Sequence, residues 1–205
     1  MSVMVQVICV DVTGGEYQQL YAKASNERKA RAERYLRQED KLRCLSAEAL
    51  LRYAVRRLLG LMEFTVENDS MGKPRLKDVD GFHFNLSHSG KWVAIACGSH
   101  PVGLDVQEMR GAVRESVLRQ CYTPQEQRYV LEGDNQVERF YRVWTGKESY
   151  LKYMGVGIRK PMDSFSIFDL PDVVIHSAML EGAYLSVCAE QSQWMLTRCS
   201  IDEII

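Results

Sequence analysis

Apolar positions along this chain recur with two different periods. Residues 3 to 12, VMVQVICVDV, are β-branched and apolar enough for a buried strand, which Gly14 and Gly15 end. Two helical patterns follow, one from Asn26, read as its N-cap, to Arg37, and a second from Ser46, read as its cap, to Gly60. In the second, Leu50, Leu51, Ala54, Val55, Leu58 and Leu59 return at the helical period and predict one buried face. Pro74 keeps MGKPRL as a turn or extended loop. FHFNLS then alternates apolar and polar side chains, KWVAIACG is almost wholly apolar, and PVGLDVQ makes a third strand in succession. GAVRESVLRQCYTPQEQRYVLE is helical but broken near Thr123 and Pro124, and a long helix from about Gln136 to Tyr153 stops at GVG. Strands are predicted around Phe165 to Phe168, over Val173 to Met179, and over Tyr184 to Thr197 with a turn inside.

Strand, helices, strands thus occurs twice, with the second round opening near Val102. This order predicts an α+β protein of two similarly built halves, residues 1–101 and 102–205.

Of 205 residues, 46% are hydrophobic, enough for a sizeable core. No apolar stretch reaches the roughly 18 residues of a membrane span, and the N-terminus lacks the basic-then-apolar pattern of a signal peptide. The expectation is a cytoplasmic protein without a membrane partner. Six cysteines lie apart with no C-x-x-C pair and read as reduced core residues. Charge is uneven: Lys23 to Arg57 holds eleven basic and five acidic residues, a local +6 within a chain of net charge -1. Such a face is a solvated surface or an attractor of phosphates or an acidic partner. The acidic remainder and the absence of a reading motif argue against nucleic acid.

Candidate chemistry centres on two segments. In VGLDVQ, Asp105 and Gln107 project from one face of a strand while Leu104 and Val106 take the other. In WTGKESYLK, Trp144, Glu148 and Lys152 fall at i, i+4 and i+8 of one helical stripe. Glu148 and Lys152 are also spaced as an ordinary helix-stabilising pair worth about 0.2 to 0.5 kcal/mol. Asp105 is harder to dismiss, because a carboxylate in a buried strand needs a partner or a metal. Asp105, Glu148 and the carbonyl of Gln107 would suit a hard cation such as Mg²⁺. Ser87 and His88, in NLSHSGKW, are either turn residues or phosphate ligands; no G-x-S-x-G elbow accompanies them.

Taken together, GKP (72 to 74), FNLSHSG (84 to 90), VGLDVQ (102 to 107) and WTGKESYLK (144 to 152) resemble the 4′-phosphopantetheinyl transferases of the larger, single-chain surfactin-synthetase type. The resemblance runs from about Asn26 to Phe168. It implies two α/β halves in pseudo-twofold arrangement with the active site between them: coenzyme A on the N-terminal side, Mg²⁺ and catalytic residues on the C-terminal side. It implies transfer of the phosphopantetheine arm of coenzyme A to a serine of an apo acyl or peptidyl carrier protein, releasing 3′,5′-ADP. By resemblance, Asp105 and Glu148 hold Mg²⁺, with Glu148 also a candidate base. Glu126 stands near the metal or its waters, and Lys152 meets the diphosphate. Arg28, Arg31 and His88 take the 3′-phosphate, Lys73 and Pro74 flank the adenine, and Ser87 binds phosphate or nucleotide nearby.

Gln107 departs from the family, where many members carry glutamate, and implies weaker metal binding. Cys44 stands where a hydroxyl residue helps bind phosphate. The carrier is expected to dock around Met109 to Leu131, and a monomer is expected because both halves lie in one chain. A competing reading is a coenzyme A or nucleotide-binding module without catalysis, supported by Gln107 alone.

Overall fold

The computed structural model describes residues 4–155 and 160–205. Two rounds of strand, three helices and hairpin build it, the first with an additional short strand pair. The first is β1 (Val5–Asp11), three helices, α1 (Tyr17–Lys23), α2 (Asn26–Glu33) and α3 (Gln38–Leu59), a small β2 (Val66–Asn68) and β3 (Pro74–Leu76) pair, and the hairpin β4 (His83–Ser89) and β5 (Trp92–Gly98). The second is β6 (Val102–Glu108), α4 (Glu115–Cys121), α5 (Pro124–Leu131), α6 (Gln136–Met154) and the hairpin β7 (Val174–Leu180) and β8 (Ala183–Ala189). In each round the second hairpin strand pairs antiparallel with the opening strand, β5 with β1 and β8 with β6. The chain closes with β9 (Trp194–Cys199) and α7 (Ile201–Ile204). The α+β class expected from the sequence is the one observed.

β9 returns to the first sheet, where it pairs parallel with β1, so that sheet runs β4-β5-β1-β9 and the second runs β6-β8-β7. Without β9 one edge of β1 would carry unpaired backbone groups.

Strand alternation sorts the core into layers. Val5, Val7, Cys9, Ala94 and Ala96 from β1 and β5 pack on Leu104, Val106, Leu185 and Val187 from β6 and β8. Ile8, Val10, Val93 and Ile95, on the reverse face of the first sheet, pack on Leu50, Leu51, Ala54 and Val55 of α3. α6 covers the reverse face of the second sheet, where Thr145 Oγ1 meets Ser186 Oγ at 2.7 Å. Its approach requires Gly103: a Cβ there would overlap the Ser149 carbonyl and the Tyr153 backbone.

Several local expectations shift. α2 is capped by Ser25, whose side chain accepts from the Arg28 amide, and ends at Glu33. α3 starts at Gln38 rather than Ser46, because Leu42, Cys44 and Leu45 pack on Leu20 and Ala32 of α1 and α2; Ser46 is an interior, buried residue. α1 has no counterpart in the predicted elements. No strand forms over 165–168: the Phe165 carbonyl and the Ile167 amide are taken by Lys147 and Glu126 side chains. Gly155, at φ 68°, caps α6, while Val156 and Gly157 of the expected GVG stop lie outside the described residues. Every cysteine is free, and all but Cys121 are buried.

Candidate active site

The two sheets meet edge to edge at β4 and β6, and the predicted chemistry gathers along that seam. Asp105, 6% exposed, projects from β6 toward α6. The Lys152 ammonium donates to Asp105 Oδ1 at 2.7 Å, to the Leu104 carbonyl at 2.9 Å and to Ser87 Oγ at 3.1 Å. Ser87 in turn donates to Asp105 Oδ1 at 3.0 Å. Asp105 Oδ2 is buried without a hydrogen-bond partner among the described residues.

Burial pushes the Asp105 carboxyl above the usual carboxylate range, against the pull of Lys152 and Ser87. Glu148, one helical turn before Lys152, is also pushed up, first by burial and then by the charge of Asp105, with Lys152 opposing. The charge of Asp105 thus reaches Glu148, and the Lys152 ammonium opposes the rise at both carboxylates. Gln107 lies two residues beyond Asp105 and lines a shallow pocket of about 210 Å³ with Trp144, Tyr141, Arg110 and Arg114.

These features fit a divalent cation: an orphaned buried oxygen and a second carboxylate near enough to feel its charge. Among the described residues no group of three or more His, Cys, Asp or Glu is arranged to hold a metal. Protein ligation would therefore come from two carboxylates, with the Gln107 amide and water or phosphate oxygens, in the pattern of Mg²⁺.

Basic groups flank the seam from α2 and α3. His88 follows Ser87 on β4 and is lowered from its usual range by desolvation and by the charges of Arg43, Lys152 and Arg31, with Asp40 opposing. Arg43 donates to the Gly90 carbonyl at 2.6 Å. Arg31 is exposed. Arg28 is held by Glu48 (3.6 Å) and contacts Cys44 Sγ at 3.9 Å. Glu48 also accepts from the Ser25 hydroxyl at 3.0 Å and from Arg52 at 2.7 Å, clamping α2 to α3. Sequence reasoning missed Glu48; an acid in the most basic stretch of the chain was the available signal.

Two expected site residues are otherwise engaged. The Lys73 ammonium donates to the carbonyls of Val102 (2.8 Å) and Tyr153 (3.5 Å), tying the start of β6 to the end of α6. Its neighbour Pro74 opens β3, partly buried. Glu126 is fully buried, in a 2.8 Å ion pair with Lys147. Its oxygens also accept from the Thr123 amide and hydroxyl and the Ile167 amide. None of these bonds reaches the Asp105 cluster, so the contacts of Glu126 belong to the packing of α5 and α6.

A seam with two carboxylates, an ammonium and a rim of arginines has the charges to meet a phosphate ester together with a cation. Comparison with known proteins makes the class specific. Residues 101–199 match the model of the 4′-phosphopantetheinyl transferase superfamily, and residues 12–100 match that of the 4′-phosphopantetheinyl transferase N-terminal region. A 4′-phosphopantetheinyl transferase of Bacillus subtilis is 32% identical over 162 residues, covering 76% of this chain and 71% of that protein. The 4′-phosphopantetheinyl transferase Sfp of Bacillus subtilis strain 168 is 29% identical over 201 residues, covering 88% and 89%. The 4′-phosphopantetheinyl transferase HetI of a Nostoc species is 33% identical over 162 residues, covering 75% and 68%. The chain belongs to the 4′-phosphopantetheinyl transferase family and is an enzyme of that class.

Proposed function

We propose that the protein transfers the 4′-phosphopantetheine arm of coenzyme A to a serine hydroxyl of an apo acyl or peptidyl carrier protein, with Mg²⁺ and with release of 3′,5′-ADP. The observation that carries this reading is Asp105: one oxygen on Lys152, the other buried without a partner among the described residues, and its charge felt by Glu148.

In the reaction the serine oxygen bonds to the β-phosphorus, and the bond from that phosphorus to the bridging oxygen of 3′,5′-ADP breaks. Asp105, Glu148 and the Gln107 carbonyl would hold Mg²⁺, which when bound would neutralise part of the diphosphate charge. Glu148 accepts the proton of the attacking hydroxyl. Lys152, already fixed by three acceptors on the seam, places a point charge at the diphosphate. Arg28, Arg31 and His88 take the 3′-phosphate, and Ser87 hydrogen-bonds beside them. Lys73 and Pro74 flank the adenine through backbone and stem, because the Lys73 ammonium is occupied. Glu126 acts indirectly, by neutralising Lys147 beneath α6.

N-terminal residues 1–101 then serve coenzyme A, residues 102–205 serve the metal and the chemistry, and one chain completes the site as a monomer. An acidic carrier helix would meet the exposed Arg110, Arg114 and Arg119; Val113 and Val117 turn largely inward. No helix of the described residues is long and apolar enough to cross a membrane, and the cytoplasm is the compartment we assign.

Incubation with coenzyme A, Mg²⁺ and a panel of apo carriers, followed by intact-mass measurement, tests the proposal. A carrier that gains the arm supports it. Coenzyme A binding without any gain across the panel would favour the non-catalytic module that Gln107 suggests.

A further inference from the structure

β4 is the edge of the first sheet and β6 the edge of the second, yet the two strands are not paired through their backbones. The amides of β6 that face β4 are met by side chains instead. Leu104 N–H donates to Asn85 Oδ1 at 2.9 Å, Val106 N–H to Ser87 Oγ at 3.2 Å, and Glu108 N–H to Ser89 Oγ at 2.9 Å. Each rung spans 19 residues of sequence, so the three form a regular ladder with the two-residue repeat of a strand. Buried edge donors left unmet would each be costly, and the ladder satisfies two buried donors and a third that is partly buried.

We propose that Asn85 and Ser89, its outer rungs, are positioning residues for the transfer. The inference rests on the reading of Asp105 and Lys152 given above. Asp105 sits between the first two rungs, so the ladder decides which β4 side chain stands opposite its carboxylate. A slip along β6 would carry Asp105 away from Ser87 and Lys152, and a loosened seam would blur the distance between the nucleotide side and the metal side. Misplacement of reacting groups by about 1 Å costs on the order of 100-fold in rate. Ser87 is itself part of the cluster; Asn85 and Ser89 have no hydrogen bond to Asp105, Glu148 or Lys152 among the described residues.

Four variants test the ladder: Ser89→Ala and Asn85→Leu remove the acceptor, while Ser89→Thr and Asn85→Asp retain one. Amide hydrogen exchange read by NMR reports each rung, and steady-state kinetics separate kcat from KM for coenzyme A. In Ser89→Ala the Glu108 amide should exchange at least about tenfold faster, as should Leu104 in Asn85→Leu. In both, kcat should fall about tenfold with KM for coenzyme A within about twofold, and the conservative variants should restore both readings. Faster exchange with unchanged kcat in the acceptor-less variants would overturn the positioning role, and unprotected Leu104 and Glu108 amides in the wild type would overturn the ladder itself. Should Asn85→Leu fail to fold, the half-exposed Ser89 pair decides. A wild type that modifies no carrier indicts the functional reading instead, while its amide exchange still reports on the ladder.

Discussion

Lys152 holds one oxygen of Asp105 at 2.7 Å and leaves the other buried, without a partner among the described residues. A salt bridge made only for stability would satisfy both oxygens, because an unmet acceptor in the interior is a net loss. Lys152→Met should lower kcat by about 100-fold or more, in line with the loss of one fixed electrostatic group. It should also destabilise the metal-free protein by about 2 kcal/mol, less than the 3–5 of a fully buried pair because the Lys152 side chain is 30% exposed. Adding Asp105→Asn should recover most of the stability and none of the activity, which urea titration and carrier-labelling assays would read.

Glu148 is raised by burial and by Asp105, with Lys152 opposing. Glu148→Gln should therefore cost about 100- to 1000-fold in kcat with a melting temperature equal to or above that of the wild type. A clear loss of stability would count against the like-charge strain assigned here.

The same two shifts set a pH dependence. In the folded, metal-free protein Asp105 and Glu148 hold their protons to higher pH than in the unfolded chain. Their contribution to stability is therefore present at acid pH and is lost as pH rises above the ordinary carboxylate range, about 4, through the raised folded values. Mg²⁺ held by these carboxylates would compete with those protons. Melting temperatures across pH 4 to 8 should show the loss without Mg²⁺ and its suppression with Mg²⁺, and the acid limb of activity should move to lower pH as Mg²⁺ increases. An acid limb independent of Mg²⁺ would separate the carboxylates from the cation.

Gln107 offers a neutral carbonyl where a second strand carboxylate would add charge. Gln107→Glu should lower the half-saturating Mg²⁺ concentration, read from activity and from isothermal titration with coenzyme A present. Identical half-saturation in variant and wild type would defeat the role of Gln107 at the cation.

Glu126 and Lys147 form an ion pair with no exposure on either side chain. Breaking it from one side, with Glu126→Gln or Lys147→Met, should destabilise the fold by about 3–5 kcal/mol, because the surviving charge stays buried. The half-saturating Mg²⁺ concentration of whatever enzyme remains folded should match the wild type. A large rise in that concentration would return Glu126 to the metal.

Much of this was readable from one sequence because it depends on local periodicity. The two-residue alternation of VGLDVQ put Asp105 and Gln107 on one face, and the helical spacing of WTGKESYLK put Glu148 and Lys152 on one stripe. Neither depends on distant partners, so α6, β4, β5 and β6 appear close to where their patterns predict. Elements defined by what they pack against were less legible. α1 carries one buried apolar residue, Leu20, which gains its meaning only from Leu45 and Cys44 on α3. The start of α3 at Gln38 depends on the same contact, and the strand predicted over 165–168 is lost to the buried charges of Lys147 and Glu126.

By itself the sequence determined the α+β order, the doubled strand and helix plan, and the residue types available for a cation and a polyanion. Tertiary structure decided that β9 completes the first sheet, that Glu126 turns inward to Lys147, and that β4 meets β6 through side chains. The physical reason is range. Backbone periodicity is set by neighbours three or four residues away, whereas a buried donor, charge or sheet edge is satisfied by whichever group the rest of the chain brings to it.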